Sequence, residues 1–109
     1  PIWIIRNGEI QETKPDKQAI GKIDNPHPFK THNFKLEKQD LIYIFTDGFQ
    51  DQFGGEKGKK FKLANFKKLI TSIHNEKMKK QLEMINTSFE DWRGDQEQVD
   101  DICVIGIRI

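Results

Sequence analysis

Two motifs with carboxylate side chains lie at the ends of predicted strands, one after a strand and one before a strand. The run Leu41–Gly48 (LIYIFTDG) carries five consecutive apolar residues into Asp47, and the run Glu97–Ile109 (EQVDDICVIGIRI) places Asp100 and Asp101 just before a final strand. Carboxylate oxygens are the ligands that the hard cations Mg²⁺ and Mn²⁺ favour, with water completing the shell. Acids delivered by neighbouring strand ends could therefore share one divalent metal ion.

The glycine after the first acid supports this interpretation. Gly48 allows the backbone to turn sharply, so that the Asp47 carboxylate projects from the strand end into a cleft. Taken singly, each motif is also typical of a plain turn or of a polar approach to a strand. The order and context of the two motifs make the metal-site hypothesis more specific.

The N-terminal half of the sequence predicts two antiparallel strand pairs. Ile2–Ile5 and Glu9–Thr13 flank Asn7-Gly8, a pair that accepts the positive φ angles of a tight hairpin turn. Asn33–Glu37 alternates polar and apolar residues and is expected to pair with Leu41–Phe45. Because Leu41–Phe45 is apolar throughout, we expect it to be covered on both faces.

Loops and helices fill the remaining length. Lys14–Thr31 is rich in turn residues and is expected to be a long loop that could border a site, and Phe49–Phe61 is expected to be a second loop, containing glycine and lysine. Apolar residues recur at helical spacing from about Leu63 to His74. A second helix is predicted to begin near Asn75, as N-cap, to end before Gly94, and to pack antiparallel to the first.

These elements predict an α+β fold, in which two helices pack on one face of an antiparallel sheet that ends with the strand Ile102–Ile109. Little of the sequence remains to cover the other face of the sheet. Because the chain also begins at Pro1 within strand-like sequence, we expect it to be a fragment of a larger unit. Alone, it is expected to dimerise, to aggregate or to rest against another polypeptide.

Composition excludes several classes of function. The chain has 109 residues, enough for one domain or part of one, and its formal net charge of +1 does not indicate a nucleic-acid partner. No apolar stretch approaches the ~20 residues of a membrane span, so membrane contact by this segment is not expected. The only cysteine, Cys103, cannot form an intrachain disulfide, which favours a reducing, cytoplasmic location.

The two motifs resemble the C-terminal half of the SpoIIE-type branch of the metal-dependent (type 2C, PPM) serine/threonine protein phosphatases. The likeness extends over essentially the whole chain, and its most specific parts are TDGFQDQFGG, GKKF and WRGDQEQVDDICVIGIRI; PIWIIRNGEI and AIGK (Ala19–Lys22) also resemble family segments. The resemblance implies an α-β-β-α sandwich with two Mn²⁺ or Mg²⁺ ions between its sheets. Asp47 matches the TDG metal ligand, Asp100 matches the ligand before the last strand, and Asp101 matches a supporting position.

In the complete domain, this resemblance implies hydrolysis of phosphoserine or phosphothreonine in a bacterial signalling phosphoprotein by a metal-activated water. The family's N-terminal motifs, including the Asp that bridges both metals and an Asp-x-x-Gly-His-Gly segment, have no counterpart in these residues. We therefore assign residues 1–109 to the C-terminal portion of such a domain and expect the isolated fragment to be inactive. The alternative is a catalytically inactive, phosphatase-like signalling or binding module.

Other candidate residues carry weaker signals. The spacing of Gly54 and Gly58, followed by Lys59 and Lys60, does not fit a nucleotide-binding P-loop. The two lysines could form a flap that steers a phosphoprotein substrate, or they could belong to a solvated, mobile loop. Cys103 is expected in a strand interior, which does not suit a nucleophile. No histidine is assigned a catalytic role.

Overall fold

A computed structural model describes residues 1–14, 16, 18 and 20–109. The AIGK segment begins at Ala19, and the predicted Lys14–Thr31 loop includes Pro15; both residues lie outside this description. None of the helices in the described residues is long and apolar enough to cross a membrane. The elements found in the described residues, in chain order, are β1 (Ile2–Arg6), β2 (Glu9–Thr13), β3 (Leu41–Phe45), β4 (Phe53–Gly54), β5 (Lys59–Lys60), α1 (Leu63–Ile73), α2 (Met78–Arg93) and β6 (Val104–Arg108).

The first two strands form the predicted hairpin. Asn7 and Gly8 have φ angles of 52° and 80°, the two positive values that a type I′ turn requires. Directly beside the turn, Arg6 pairs with Glu9, and the antiparallel register continues to the strand ends. The turn residues therefore set the register that carries Trp3 and Ile5 into the core.

The main sheet has four antiparallel strands in the order β2-β1-β3-β6. Strand β3 is internal, with β1 on one side and β6 on the other, although β6 lies far from it in sequence. Aromatic side chains of β1 and β3 pack against α1: the Trp3 and Phe45 rings contact each other, and both contact Phe66. The predicted α+β class, with two helices on one face of an antiparallel sheet, is confirmed.

The two helices are close to their predicted positions. Helix α1 ends at Ile73, and its buried residues recur at helical spacing. Helix α2 begins at Met78, so the prediction of Asn75 as its N-cap is wrong; Lys77 occupies that position without a side-chain cap. The ring centroid of Phe61, just before α1, lies 5.4 Å from that of Trp92, near the end of α2. The start of α1 therefore lies beside the end of α2, so the helices run antiparallel.

The predicted strand at Asn33–Glu37 is wrong, because both edges of β3 are occupied by β1 and β6. Buried Asp40 instead holds this segment: its carboxylate accepts hydrogen bonds from Arg6 at 2.9 and 2.7 Å and from the Glu37 amide at 2.8 Å. These hydrogen bonds, led by those of the Arg6 guanidinium, lower the pKa of Asp40 to about 2. The segment is thereby tied to the end of β1 without joining the sheet.

The sheet's second face is apolar and partly open. The helices lie on the face that carries Trp3 and Tyr43, while Ile44 and Ile105, which are paired across β3 and β6, remain 44% and 49% exposed. The prediction that β3 is covered on both faces is therefore wrong at Ile44. We call this surface the isoleucine face; its members are Ile2, Ile4, Ile42, Ile44, Ile105 and Ile107.

Candidate functional site

Asp47 lies in a turn that begins directly after β3. The Asp51 amide donates a hydrogen bond to the Asp47 carbonyl at 3.0 Å, and the Gln52 amide donates one to the Phe49 carbonyl at 3.2 Å. Phe49 is buried in the aromatic core, which anchors the turn, whereas Asp47 is exposed. The fold thus fixes the backbone of this turn and leaves the carboxylate open to solvent.

Asp100 and Asp101 lie in the segment that leads into β6. Both are exposed, and the Asp101 amide donates a hydrogen bond to the Asp100 carboxylate at 2.8 Å. The Gln98 side chain donates a hydrogen bond to the Asp100 carbonyl at 3.0 Å. Local hydrogen bonds therefore shape this segment before it enters the sheet.

The two acidic segments meet because β3 and β6 are neighbours. Beyond the last paired residues of the ladder, the Thr46 amide donates to the Cys103 carbonyl at 3.0 Å. The Thr46 hydroxyl also bridges the segments, since it donates to the Asp101 carbonyl at 3.3 Å and accepts from the Cys103 amide at 3.1 Å. The backbone around Asp47 is thereby bound to the backbone around Asp101.

Gly48 marks the closest approach of these segments. A Cβ atom on Gly48 would lie 2.2 Å from the Asp101 carbonyl oxygen and 2.9 Å from Ile102 Cγ1. Only a residue without a side chain fits there, because real Cβ atoms do not approach a carbonyl so closely. The contact between the two segments therefore requires glycine at this position, whereas the turn does not, because the φ angle of Gly48 is not positive.

The three acids do not form a complete metal site by themselves. Among the residues that the structure describes, no group of three or more His, Cys, Asp or Glu side chains could hold a metal ion. Exposed carboxylates on adjoining backbones nevertheless suit a hard cation that keeps several waters. That Asp47, Asp100 and Asp101 bind a metal ion stays a prediction, and a centre built on them would need further donors.

The lysine-containing loop is more ordered than the sequence predicted, since it forms the short β4–β5 hairpin. Lys60 extends towards the acidic turn, with its ammonium 3.8 Å from the Asp51 carboxylate and 5.8 Å from the centre of the Phe53 ring. Lys59 is exposed. Lys60 therefore places positive charge beside the turn that carries Asp47.

Gln52 and Trp92 organise this site, a role that no sequence pattern indicated for either residue. Gln52 is only 1% exposed, and its amide group donates to the Glu97 carbonyl at 2.8 Å and to the Phe53 carbonyl at 3.0 Å. The Trp92 indole donates to the Gln52 carbonyl at 2.8 Å. A glutamine in a polar, glycine-containing loop gives no sequence signal of burial.

Cys103 also differs from its predicted setting. It precedes β6 instead of lying inside the strand, and it is exposed. Its amide donates a hydrogen bond to the Thr46 hydroxyl, and its carbonyl accepts one from the Thr46 amide. The cysteine thus contributes main-chain contacts to the junction of the acidic segments.

The fold is that of the type 2C phosphatase class, as the comparisons with known proteins show, and they also specify the family. The family model for Stage II sporulation protein E (SpoIIE) matches residues 1–109, so the chain belongs to the SpoIIE family. The chain is also similar to the solved SiaA-PP2C domain of Pseudomonas aeruginosa, with a TM-score of 0.86 and 28% sequence identity. No curated protein matches the chain.

The structural match covers 99% of this chain and 42% of the SiaA chain. These 109 residues therefore correspond to less than half of the solved relative. The predicted resemblance to a SpoIIE-type phosphatase is confirmed, and family membership supports a phosphatase-type function.

Proposed function

We propose that these residues form the C-terminal portion of a phosphatase domain that hydrolyses phosphoserine or phosphothreonine in a bacterial signalling phosphoprotein. Membership of the SpoIIE family supports the hydrolase class. The observation that carries the site assignment is the contact of Gly48 with the Asp101 backbone, because it joins the two strand ends that bear the acids. The single cysteine of the chain favours a reducing, cytoplasmic setting for this activity.

In this proposal, Asp47 and Asp100 are ligands of Mn²⁺ or Mg²⁺, and Asp101 has a supporting role. Their exposure lets the rest of the domain contribute the missing donors, and two ions are expected in the complete site. Bound divalent cations would supply a water of lowered pKa and would neutralise charge on the phosphoryl group. Lys59 and Lys60 are proposed to bind the substrate, and the position of the Lys60 ammonium beside the Asp47 turn supports this role for Lys60.

The full-length protein tests this proposal directly. We expect it to release phosphate from a phosphoserine or phosphothreonine peptide when Mn²⁺ or Mg²⁺ is present, and to lose that activity when EDTA removes the metal. Phosphate release can be followed with a colorimetric assay, with heat-denatured protein as the blank. Activity that persists in EDTA would refute the metal requirement, and inactivity with every metal tested would favour the alternative, a phosphatase-like signalling or binding module.

The isoleucine face supports the assignment of this chain to part of a larger domain. We propose that the remainder of the domain covers this face, since apolar surfaces of this kind are seldom left open in soluble proteins. The isolated 109-residue chain is therefore expected to be inactive and to self-associate, as a homodimer or a larger species. Sedimentation velocity over a range of concentrations measures this directly.

Two variants test whether the isoleucine face mediates this self-association. The double variant Ile44→Ser and Ile105→Ser removes a cross-strand pair from the isoleucine face and should shift the isolated chain towards monomer. Leu82→Ser is the matched control, because Leu82 is 68% exposed on α2 and does not belong to that face. A wild-type fragment that stays monomeric at high concentration would contradict the prediction, as would equal effects of the two sets of substitutions.

A further inference from the structure

We propose that Gln52 is a positioning residue that sets the spacing of the Asp47 turn and the Asp100 segment, and thereby the affinity of the site for divalent cations. The inference rests on the proposed function, because it takes both acids as metal ligands. Gln52 itself touches neither the metal nor the substrate in this proposal. It acts through the backbone segments that carry the ligands.

The position of Gln52 in the chain connects it to the first acid. It closes the turn that Asp47 opens, through the consecutive backbone hydrogen bonds of Asp51 and Gln52. A shift of Gln52 therefore moves the turn that aims the Asp47 carboxylate.

The side chain of Gln52 connects this turn to the second acid. Its amide nitrogen donates to the Glu97 carbonyl at 2.8 Å, and Glu97 lies three residues before Asp100. Gln52 is buried and Glu97 is exposed, so the bond is partly shielded from solvent, and its loss leaves the Glu97 carbonyl without that donor. The bond thus opposes movement of the Asp100 segment away from the turn.

The main chain of Gln52 is fixed to the helical layer. Its carbonyl accepts hydrogen bonds from the Trp92 indole at 2.8 Å and from the Phe61 amide at 3.0 Å. These donors lie at the end of α2 and just before α1. The amide group that reaches Glu97 is therefore held against the ends of the two helices, and groups that orient metal ligands are commonly fixed in this way.

Thr46 and Gln52 bind the two acidic segments at different points. Thr46 bridges to Asp101 and Cys103 at the strand ends, while Gln52 bridges to Glu97, upstream of Asp100. The stretch that carries Asp100 is thus attached on both sides. Removing the Gln52 amide should loosen its upstream attachment and leave the sheet intact.

A second buried glutamine provides a matched control. Gln81 is 0% exposed, and its amide donates to the backbone carbonyls of His74 at 3.3 Å and Glu76 at 2.9 Å. It also accepts a hydrogen bond from the Tyr43 hydroxyl. None of these partners belongs to the acidic segments, so Gln81 shares the burial of Gln52 without its connection to the proposed site.

The experiment compares Gln52→Met with Gln81→Met in the full-length protein. Both variants should unfold at lower temperature, because each loses a buried amide. Only Gln52→Met should weaken Mn²⁺ binding, by about tenfold or more, which is the usual effect of removing a group that orients metal ligands. Binding is measured from the electron paramagnetic resonance signal of free Mn²⁺, and hydrolysis by Gln52→Met should recover towards the wild-type rate at saturating Mn²⁺.

Each outcome decides the inference. Equal Mn²⁺ affinity in the two variants overturns it, and so does a loss of hydrolysis that saturating Mn²⁺ does not restore. If Gln52→Met does not fold, Gln52→Asn replaces it, because the shorter asparagine side chain stays polar but does not reach Glu97. If neither variant folds, Gln52 serves stability alone, and that result also overturns the inference. Asp47→Asn separates the two proposals, because unchanged Mn²⁺ binding in that variant would refute the ligand assignment itself.

Discussion

Asp47→Asn is expected to reduce metal-dependent phosphatase activity of the full-length protein by about a hundredfold or more, the usual scale for removing one group that stabilises charge in a transition state. The amide keeps the shape of the carboxylate but loses its negative charge, so the variant should bind Mn²⁺ more weakly while remaining folded. Asp47 is exposed and follows β3, which makes a large loss of stability unexpected. Steady-state kinetics over a range of Mn²⁺ concentrations measures both effects.

Asp100→Asn should behave like Asp47→Asn, and Asp101→Asn should have a smaller effect because its role is to support the ligands. Asp91→Asn is the control, since Asp91 is an exposed carboxylate on α2 outside the acidic segments. Full activity in either the Asp47 or the Asp100 variant would contradict the ligand assignment. A comparable loss in Asp91→Asn would point to an effect of net charge instead.

Gly48→Ala is expected to impair the site without removing any proposed ligand. The new methyl group would meet the Asp101 carbonyl oxygen at 2.2 Å, so the two acidic segments must separate. Overpacking of this kind typically costs about 1–3 kcal/mol of folding free energy. Because the strain falls between the proposed ligands, Mn²⁺ affinity should decrease together with stability, as measured by thermal unfolding with and without the metal.

Gly106→Ala provides the comparison for this prediction. A Cβ there would lie 2.9 Å from Met78 Cε and 2.9 Å from Tyr43 Cε1, within the core face of β6. This variant should lose stability, but its Mn²⁺ affinity should stay close to that of the wild type. Retention of wild-type affinity by Gly48→Ala would show that the contact of the strand ends does not govern the site.

Local sequence signals predicted most of the secondary structure. Asn7-Gly8 fixed the first hairpin, and apolar spacing predicted both helices with errors of a few residues at their ends. Alternation alone was misleading at Asn33–Glu37, because it cannot indicate whether a neighbouring strand has a free edge. The position of β3 between β1 and β6 depends on pairing between distant parts of the chain, which local patterns do not encode.

The candidate site was predicted only in part, because it too depends on contacts between distant parts of the chain. The acids were found because TDG and VDD follow or precede apolar runs, and the structure brings their backbones together at Gly48. Whether Asp47, Asp100 and Asp101 bind a metal stays a prediction. Gln52 was not identified, since its importance comes from burial between the acidic turn and the helix ends, and burial of a glutamine depends on tertiary packing.

The pairing of β3 with β6 also affects the order in which parts of the chain can fold during translation. The hairpin β1–β2 and the helix pair α1–α2 join residues close in sequence and can form early, whereas the second edge of β3 must wait for β6. Asp100 leaves the ribosome roughly fifty residues after Asp47, a delay of several seconds at about 5–20 residues per second. During that interval one side of β3 remains an unpaired edge, to which a strand of another chain can pair before β6 arrives.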